Sequence, residues 1–251
     1  MPTTLQNHIA LSRITRTSTL STGYLLASRS VHVNPLAVTD FDRDAFGKEL
    51  FLLFAIVVAG KNADQQSEKL AQFLTIEQGA TSPFDSIRRM IARGTLRMNL
   101  ELCRLGQYEN RLEPAFRTVV NLNPETVSLA DLVTVKGIAE KTARFYRLHA
   151  FSGQRIAALD TYLLLKAHDS GCPNCPTSTP APGPEYDRIE AFLLDVFDAE
   201  GDAEGLTTEE RYAVLDLRWW RHYREADLKE KQRKREEARA ARVSRRPQTK
   251  S

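Results

Sequence analysis

Lys141 and Asp160 are the residues of this chain whose types and spacing suit covalent chemistry. Lys141 stands four residues after Gly137 in VKGIAEKTA, and Asp160 follows the apolar run Ile156–Leu159 nineteen residues later. A lysine in the first turn of a helix is disfavoured as a cation, because the helix dipole is positive there. Partial burial pushes the same way and leaves more free amine. A free amine is a nucleophile that forms Schiff bases. A carboxylate held beside the reacting carbon stabilises a developing positive charge. Each residue also has a plainer role: a lysine pairs with phosphate, and an aspartate at such a junction caps the next helix.

The elements around the pair decide whether the two meet. Leu129–Val133, the segment Thr134–Ala139 and then Glu140–Phe151 read as helix, tight glycine turn and helix, opened by a capping-box pattern at Ser128 and Asp131. Backbone N–H groups at the start of the second helix point outward and, with the dipole, bind phosphate. The candidate contacts there are Lys136, Gly137, Ile138, Ala139 and Thr142. An ordinary helical hairpin has the same pattern. Lys136, Lys141, Arg144, Arg147 and Arg155 face Glu140 alone between Val133 and Arg155, which favours an anionic partner.

The rest of the chain predicts helices. Phe46–Ala59 is apolar on nearly all sides, and Gln65–Leu74 has helical spacing. Ser82-Pro83 with Asp85 starts a helix expected to run through Gly94 to Leu102. Thr207 with Glu210 predicts a capped helix over Glu209–Tyr223, and Glu185–Ala199 is helical in period. Cys172–Glu185 is rich in Pro, Ser and Thr and reads as a surface loop. No alternating strand pattern follows residue 40, so the expected class is all-α.

The chain's 251 residues suit one large domain or two small ones. The formal charge is +3, yet Lys229–Ser251 alone carries +7, which leaves −4 elsewhere. The high isoelectric point thus belongs to the tail and argues little about the body. Three cysteines, Cys103, Cys172 and Cys175, are too few and odd in number for a disulfide framework. Cys172 and Cys175 with His168 suggest zinc, but a closed site needs a fourth ligand and none follows. The longest apolar run, Leu50–Gly60, is too short to span a membrane. Before Asp40 the chain has Arg13, Arg16 and Arg29 but no acid, the composition of an organelle transit peptide. The favoured reading is an arm, with Gly23–Leu26 and Val31–Val33 packed on the domain.

The hairpin, lysine and aspartate together resemble the helix-hairpin-helix DNA glycosylases, the superfamily of endonuclease III and the 8-oxoguanine glycosylases. Their LPGVGxKTA and V-D-T-H motifs correspond to VKGIAEKTA and LDTY, with Ala139 at the second glycine and Tyr162 at the histidine. FLLFAIVVAGKNADQQSEKL is similar to the family's early helix and pocket loop, and LGQYENRLEPAF to its G-x-Y/F-x-x-K/R segment. EYDRIEAFLLDVF and YAVLDLRWWRHY resemble the last helices of the archaeal-type 8-oxoguanine enzymes. The resemblance spans roughly residues 45–225, and only the hairpin–lysine–aspartate set is specific.

That resemblance implies two helical lobes flanking a cleft. It implies Lys141 as the nucleophile at C1′ of a flipped-out nucleotide and Asp160 as the activating carboxylate. Asn62 is expected to fill the gap left by the base, and Trp219 and Trp220 to wall the base pocket. Residues 1–40 are expected to be an arm or targeting segment, 41–225 the glycosylase domain with its hairpin at 129–151, and 226–251 a basic tail. The expected activity is excision of an oxidised base, 8-oxoguanine by preference, with AP-lyase cleavage. The expected protein is a monomer within the cell, on double-stranded DNA containing a damaged base, needing no metal or organic cofactor. The competing readings are a glycosylase for an oxidised or hydroxymethylated pyrimidine and a non-catalytic DNA-binding hairpin module.

Overall fold

The computed structural model describes residues 29–244. All the regular elements among the described residues are helical. They are α1 Ala45–Val58, α2 Ala63–Leu74, α3 Pro83–Ala92, α4 Leu96–Leu102, a π-helical turn Tyr108–Leu112, α5 Glu113–Val119, α6 Leu129–Thr134, α7 Glu140–Ala150, α8 Thr161–Asp169, α9 Pro184–Glu204 and α10 Arg211–Ser244. None of them is long and apolar enough to cross a membrane.

Two hydrophobic clusters organise these helices. The first is built around α1, whose residues Leu50–Val57 are all buried, and it takes in α2 to α7. Fully burying a Leu or Phe contributes about 1.5–3 kcal/mol, so α1 is the main source of cohesion here. The second cluster joins α8, α9 and the start of α10 through Leu163, Ile189, Leu193, Phe197 and Leu215. Helix α7 serves both, with Ala143 and Tyr146 in the first and Leu148 in the second.

Several expectations need correction. The helix expected to run through Gly94 is two helices, because Gly94 takes φ +68° and ends α3. The last helix starts at Arg211 rather than Glu209. Thr207 O accepts from both Glu210 N and Arg211 N, which makes a turn before the helix. The helix then runs on to Ser244, in keeping with a basic end that has almost no apolar face and continues as a solvated helix.

The arm reading at Gly23–Leu26, and most of the targeting reading of residues 1–40, lie outside the described residues. Within them, Val31 and Val38 are buried against the first cluster. Ser67 Oγ accepts from Val33 N and donates to Val33 O. Arg43 then fastens the segment by donating to the carbonyls of Val38, Asp40 and His149.

Candidate active site

The hairpin is shaped by one glycine and one arginine. Gly137 has φ +98°, a conformation that side chains disfavour. A Cβ there would lie 2.6 Å from Arg111 O. Arg111 comes from the π-helical turn. Its Nε donates to Gly137 O at 3.3 Å, and its terminal nitrogens donate to Ala59 O at 3.3 Å and to Ile56 O. Those last two carbonyls belong to the end of α1, where no intrahelical donor remains. One guanidinium therefore joins the end of the core helix to the hairpin.

The hairpin's polar groups then divide. Ile138 N–H donates to Val135 O at 3.0 Å and the side chain is buried, so this residue closes the turn and its amide is not free for phosphate. Ala139 has φ −92° and so accommodates an alanine without strain. It is the N-cap of the eleven-residue α7 and supplies no side-chain cap. The first-turn amides of α7 are thus left for an anion, with exposed Lys136 next to the turn. Thr142 is buried and turned into the neighbouring cavity.

Lys141 Nζ lies 3.1 Å from Asp160 Oδ2. The lysine side chain is 39% exposed and the aspartate 13%, so the pair faces solvent from the lysine side only. Asp160 uses its other oxygen as a cap: Oδ1 accepts from Tyr162 N at 2.9 Å and Leu163 N at 3.0 Å. The capping role and the lysine-pairing role therefore coexist on one carboxylate.

What brings Asp160 to the lysine is the irregular segment Ile156–Leu159. Its buried backbone must find partners outside regular structure. Ala157 N donates to Glu190 Oε1 at 2.9 Å and Ala158 N to Asp216 Oδ1 at 3.4 Å. Leu159 N donates to the Tyr186 hydroxyl at 3.3 Å. Glu190 also takes a two-pronged bond from Arg144, at 3.0 and 3.2 Å, and Arg144 lies one turn after Lys141 on α7. The Arg144 guanidinium also stacks over the Tyr186 ring.

The pair opens into a cavity of about 500 Å³. The end of α1 and the loop Gly60–Asn62 form one side, and α7, α8 and α10 the others. Pro35 and Val38 of the N-terminal segment close part of the wall. Asn62 lines the cavity, and its side chain caps α2 by accepting from Gln65 N at 3.0 Å. Trp220 lines it as well, with the Tyr162 ring at its edge and Arg224 stacked on it.

Trp219, expected beside Trp220 in the pocket, lies elsewhere. Adjacent helical residues point about 100° apart, and the phase of α10 gives the cavity to Trp220. Trp219 packs on the second cluster, donates to Glu200 at 2.8 Å and carries Lys166 over its ring.

The sequence reading missed three groups at this site. Asp216 is buried and lines the cavity. His149 is fully buried, with Nε2 3.3 Å from Asp216 Oδ2 and Nδ1 2.8 Å from Thr39 Oγ1. A ring that donates from Nε2 to Asp216 and accepts at Nδ1 from Thr39 satisfies all three groups. The third is the Tyr162 hydroxyl, which donates to Asp227 at 3.0 Å. Burial, and then Asp227, push its pKa up to about 12, so it stays a donor at neutral pH. A lone acid in the apolar stretch YAVLDL and a lone histidine in YRLHAF were the available signals for Asp216 and His149.

Cys172 and Cys175 lie away from the cavity, near the start of α9, where Arg188 donates to the carbonyls of Pro173 and Asn174. Among the described residues no three His, Cys, Asp or Glu side chains gather as a metal site would require. Comparison with family models, with curated proteins and with solved structures returns no match to this chain.

Proposed function

We propose that the chain is a DNA glycosylase with AP-lyase activity and the helix-hairpin-helix glycosylase fold, acting on an oxidised base in duplex DNA. The observation that carries this reading is the Lys141–Asp160 pair, 3.1 Å apart at the rim of a cavity large enough for a base and in the first turn of a helix whose start has no side-chain cap. The α7 amides and Lys136 hold a backbone phosphate. The nucleotide beside it turns out of the stack into the cavity, at a cost of a few kcal/mol that the pocket must offset.

Lys141 Nζ gives its third proton to solvent, and the resulting free amine attacks C1′. The C1′–N bond breaks and its electron pair leaves with the base, which takes a proton from solvent. The attacking nitrogen gives up one proton, the C1′–O4′ bond breaks with its electron pair and a proton going to O4′, and a protonated Schiff base joins Nζ to C1′ as the sugar ring opens. Asp160 Oδ2 holds the ammonium before attack and faces the positive charge that develops on the sugar. Loss of a proton at C2′ from the Schiff base expels the 3′ phosphate and cuts the strand.

Two features favour a guanine-type base over a pyrimidine. Asp216 offers a carboxylate held by His149 and Ala158 N, an acceptor for adjacent N–H donors. Trp220 offers a fixed aromatic face. 8-Oxoguanine carries both neighbouring donors and a flat purine surface, whereas a pyrimidine supplies less of each.

The test is borohydride trapping on duplexes carrying one 8-oxoguanine, one abasic site or no lesion, with wild type beside Lys141→Gln. A trapped adduct on the 8-oxoguanine duplex that the variant lacks is the expected result. An adduct on the abasic site alone moves the substrate to another base. DNA binding without any adduct overturns the mechanism in favour of a plain binding module.

A further inference from the structure

Helix α10 does not end where it leaves the cavity. Leu217, Trp220, Arg224, Leu228 and Lys231 line the cavity at three- and four-residue intervals, so they form one face of the helix. Carried outward at the same spacing, that face continues through Arg235 and Arg239, both exposed. Glu230 and Glu237 fall on the opposite side, and Glu236 on the flank. There Glu230 and Glu237 pair with Arg233, and Glu230 also pairs with Lys234. Among the described residues no carboxylate pairs with Arg235 or Arg239. Lys231 itself pairs with Asp227, so the cations left without a carboxylate along the line of the cavity mouth are, among the described residues, Arg235 and Arg239.

We propose that this stripe is a docking surface for the phosphate backbone of duplex DNA flanking the nucleotide in the cavity. The proposal rests on the glycosylase reading. From Lys231 to Ser244 the helix extends about 20 Å, at about 1.5 Å per residue. That equals about six base pairs at 3.4 Å each. The contact is to backbone charge, so it lengthens the footprint without reading sequence. The root of the stripe is held in place: Arg224 pairs with Asp64 of α2, and Tyr162 of α8 bonds Asp227.

The experiment measures equilibrium binding against salt concentration on duplexes with a central tetrahydrofuran abasic analogue and either short or long flanks. The wild type is compared with Arg235→Gln/Arg239→Gln, and with Lys229→Gln/Arg233→Gln as a charge-matched control off the stripe. Glutamine keeps the helix propensity of arginine and lysine. On long flanks the stripe variant should lower the slope of log K against log salt by about 1.8, at about 0.9 per lost phosphate contact. Its loss of affinity should shrink on short flanks, and the control should keep the wild-type slope. Equal losses from both variants, or an unchanged slope in the stripe variant, overturn the proposal. If the wild type binds long duplexes yet gives no borohydride adduct on an authentic abasic site, the glycosylase reading falls, and the slopes still decide the docking surface. If the wild type binds no duplex, both fall.

Discussion

The carbonyl oxygen of Arg111 lies 2.6 Å from the point where a Cβ on Gly137 would stand, and the Arg111 guanidinium returns to bond Gly137 O. Turn and arginine are therefore fitted to each other. Gly137→Ala must move the Arg111 backbone and also hold a side chain at φ +98°. The expected cost is about 1–3 kcal/mol, read from urea unfolding, with weakened binding to undamaged duplex. Ala139→Gly, at a position with ordinary φ, should change stability by only a few tenths of a kcal/mol and serves as the control.

Asp160 separates folding from chemistry when two substitutions are compared. Asp160→Asn keeps a side-chain oxygen for the amides of Tyr162 and Leu163 but removes the charge facing Lys141. It should melt near the wild type while losing at least tenfold in the rate of adduct formation. Asp160→Ala loses the cap as well and should cost a further ~1 kcal/mol of stability. If the Asn variant forms adduct at the wild-type rate, the carboxylate has no part in the chemistry.

Asp216 should matter for the base and not for the sugar. Asp216→Asn keeps the shape but replaces one acceptor with a donor. Single-turnover excision of 8-oxoguanine should fall by tenfold or more, while trapping on a preformed abasic site should stay within about twofold of wild type. Parallel losses on both substrates would instead point to damage of the His149 and Ala158 contacts.

Glu49 gives a pH-dependent prediction. Burial raises its pKa against the hydrogen bonds from Ser82 and Phe84 N and the charge of Arg88. A carboxyl whose folded pKa exceeds its unfolded one binds its proton more tightly in the folded state. Stability therefore falls as pH rises from the unfolded pKa through the folded one. Glu49→Gln should be close to wild type near pH 4 and more stable at pH 7, with the gap in Tm opening between them. A constant gap across that range would mean that Glu49 does not titrate in this window.

The helices that carry the site were legible because their signals are local. Ser128 and Asp131 form a capping box, Asp160 caps α8, and the apolar run of α1 is buried as its composition requires. The split at Gly94 and the late start at Arg211 depend on a left-handed residue and a turn that helical spacing does not reveal. The partners of Ile156–Leu159 were illegible for a different reason. Glu190, Tyr186 and Asp216 lie 27 to 58 residues away from the amides they accept from, and only the folded chain brings them together. Trp219 and Trp220 look equivalent in sequence, and the phase of α10 alone distinguishes them.

The bond between Arg144 and Glu190 has a mechanical consequence. Arg144 moves with the helix of Lys141, and Glu190 holds the segment that ends at Asp160. The gap between amine and carboxylate is thus gauged by a contact that neither of them makes. The two jaws of the site work as a caliper locked at a set opening. Widening that opening would strip a buried guanidinium from its carboxylate.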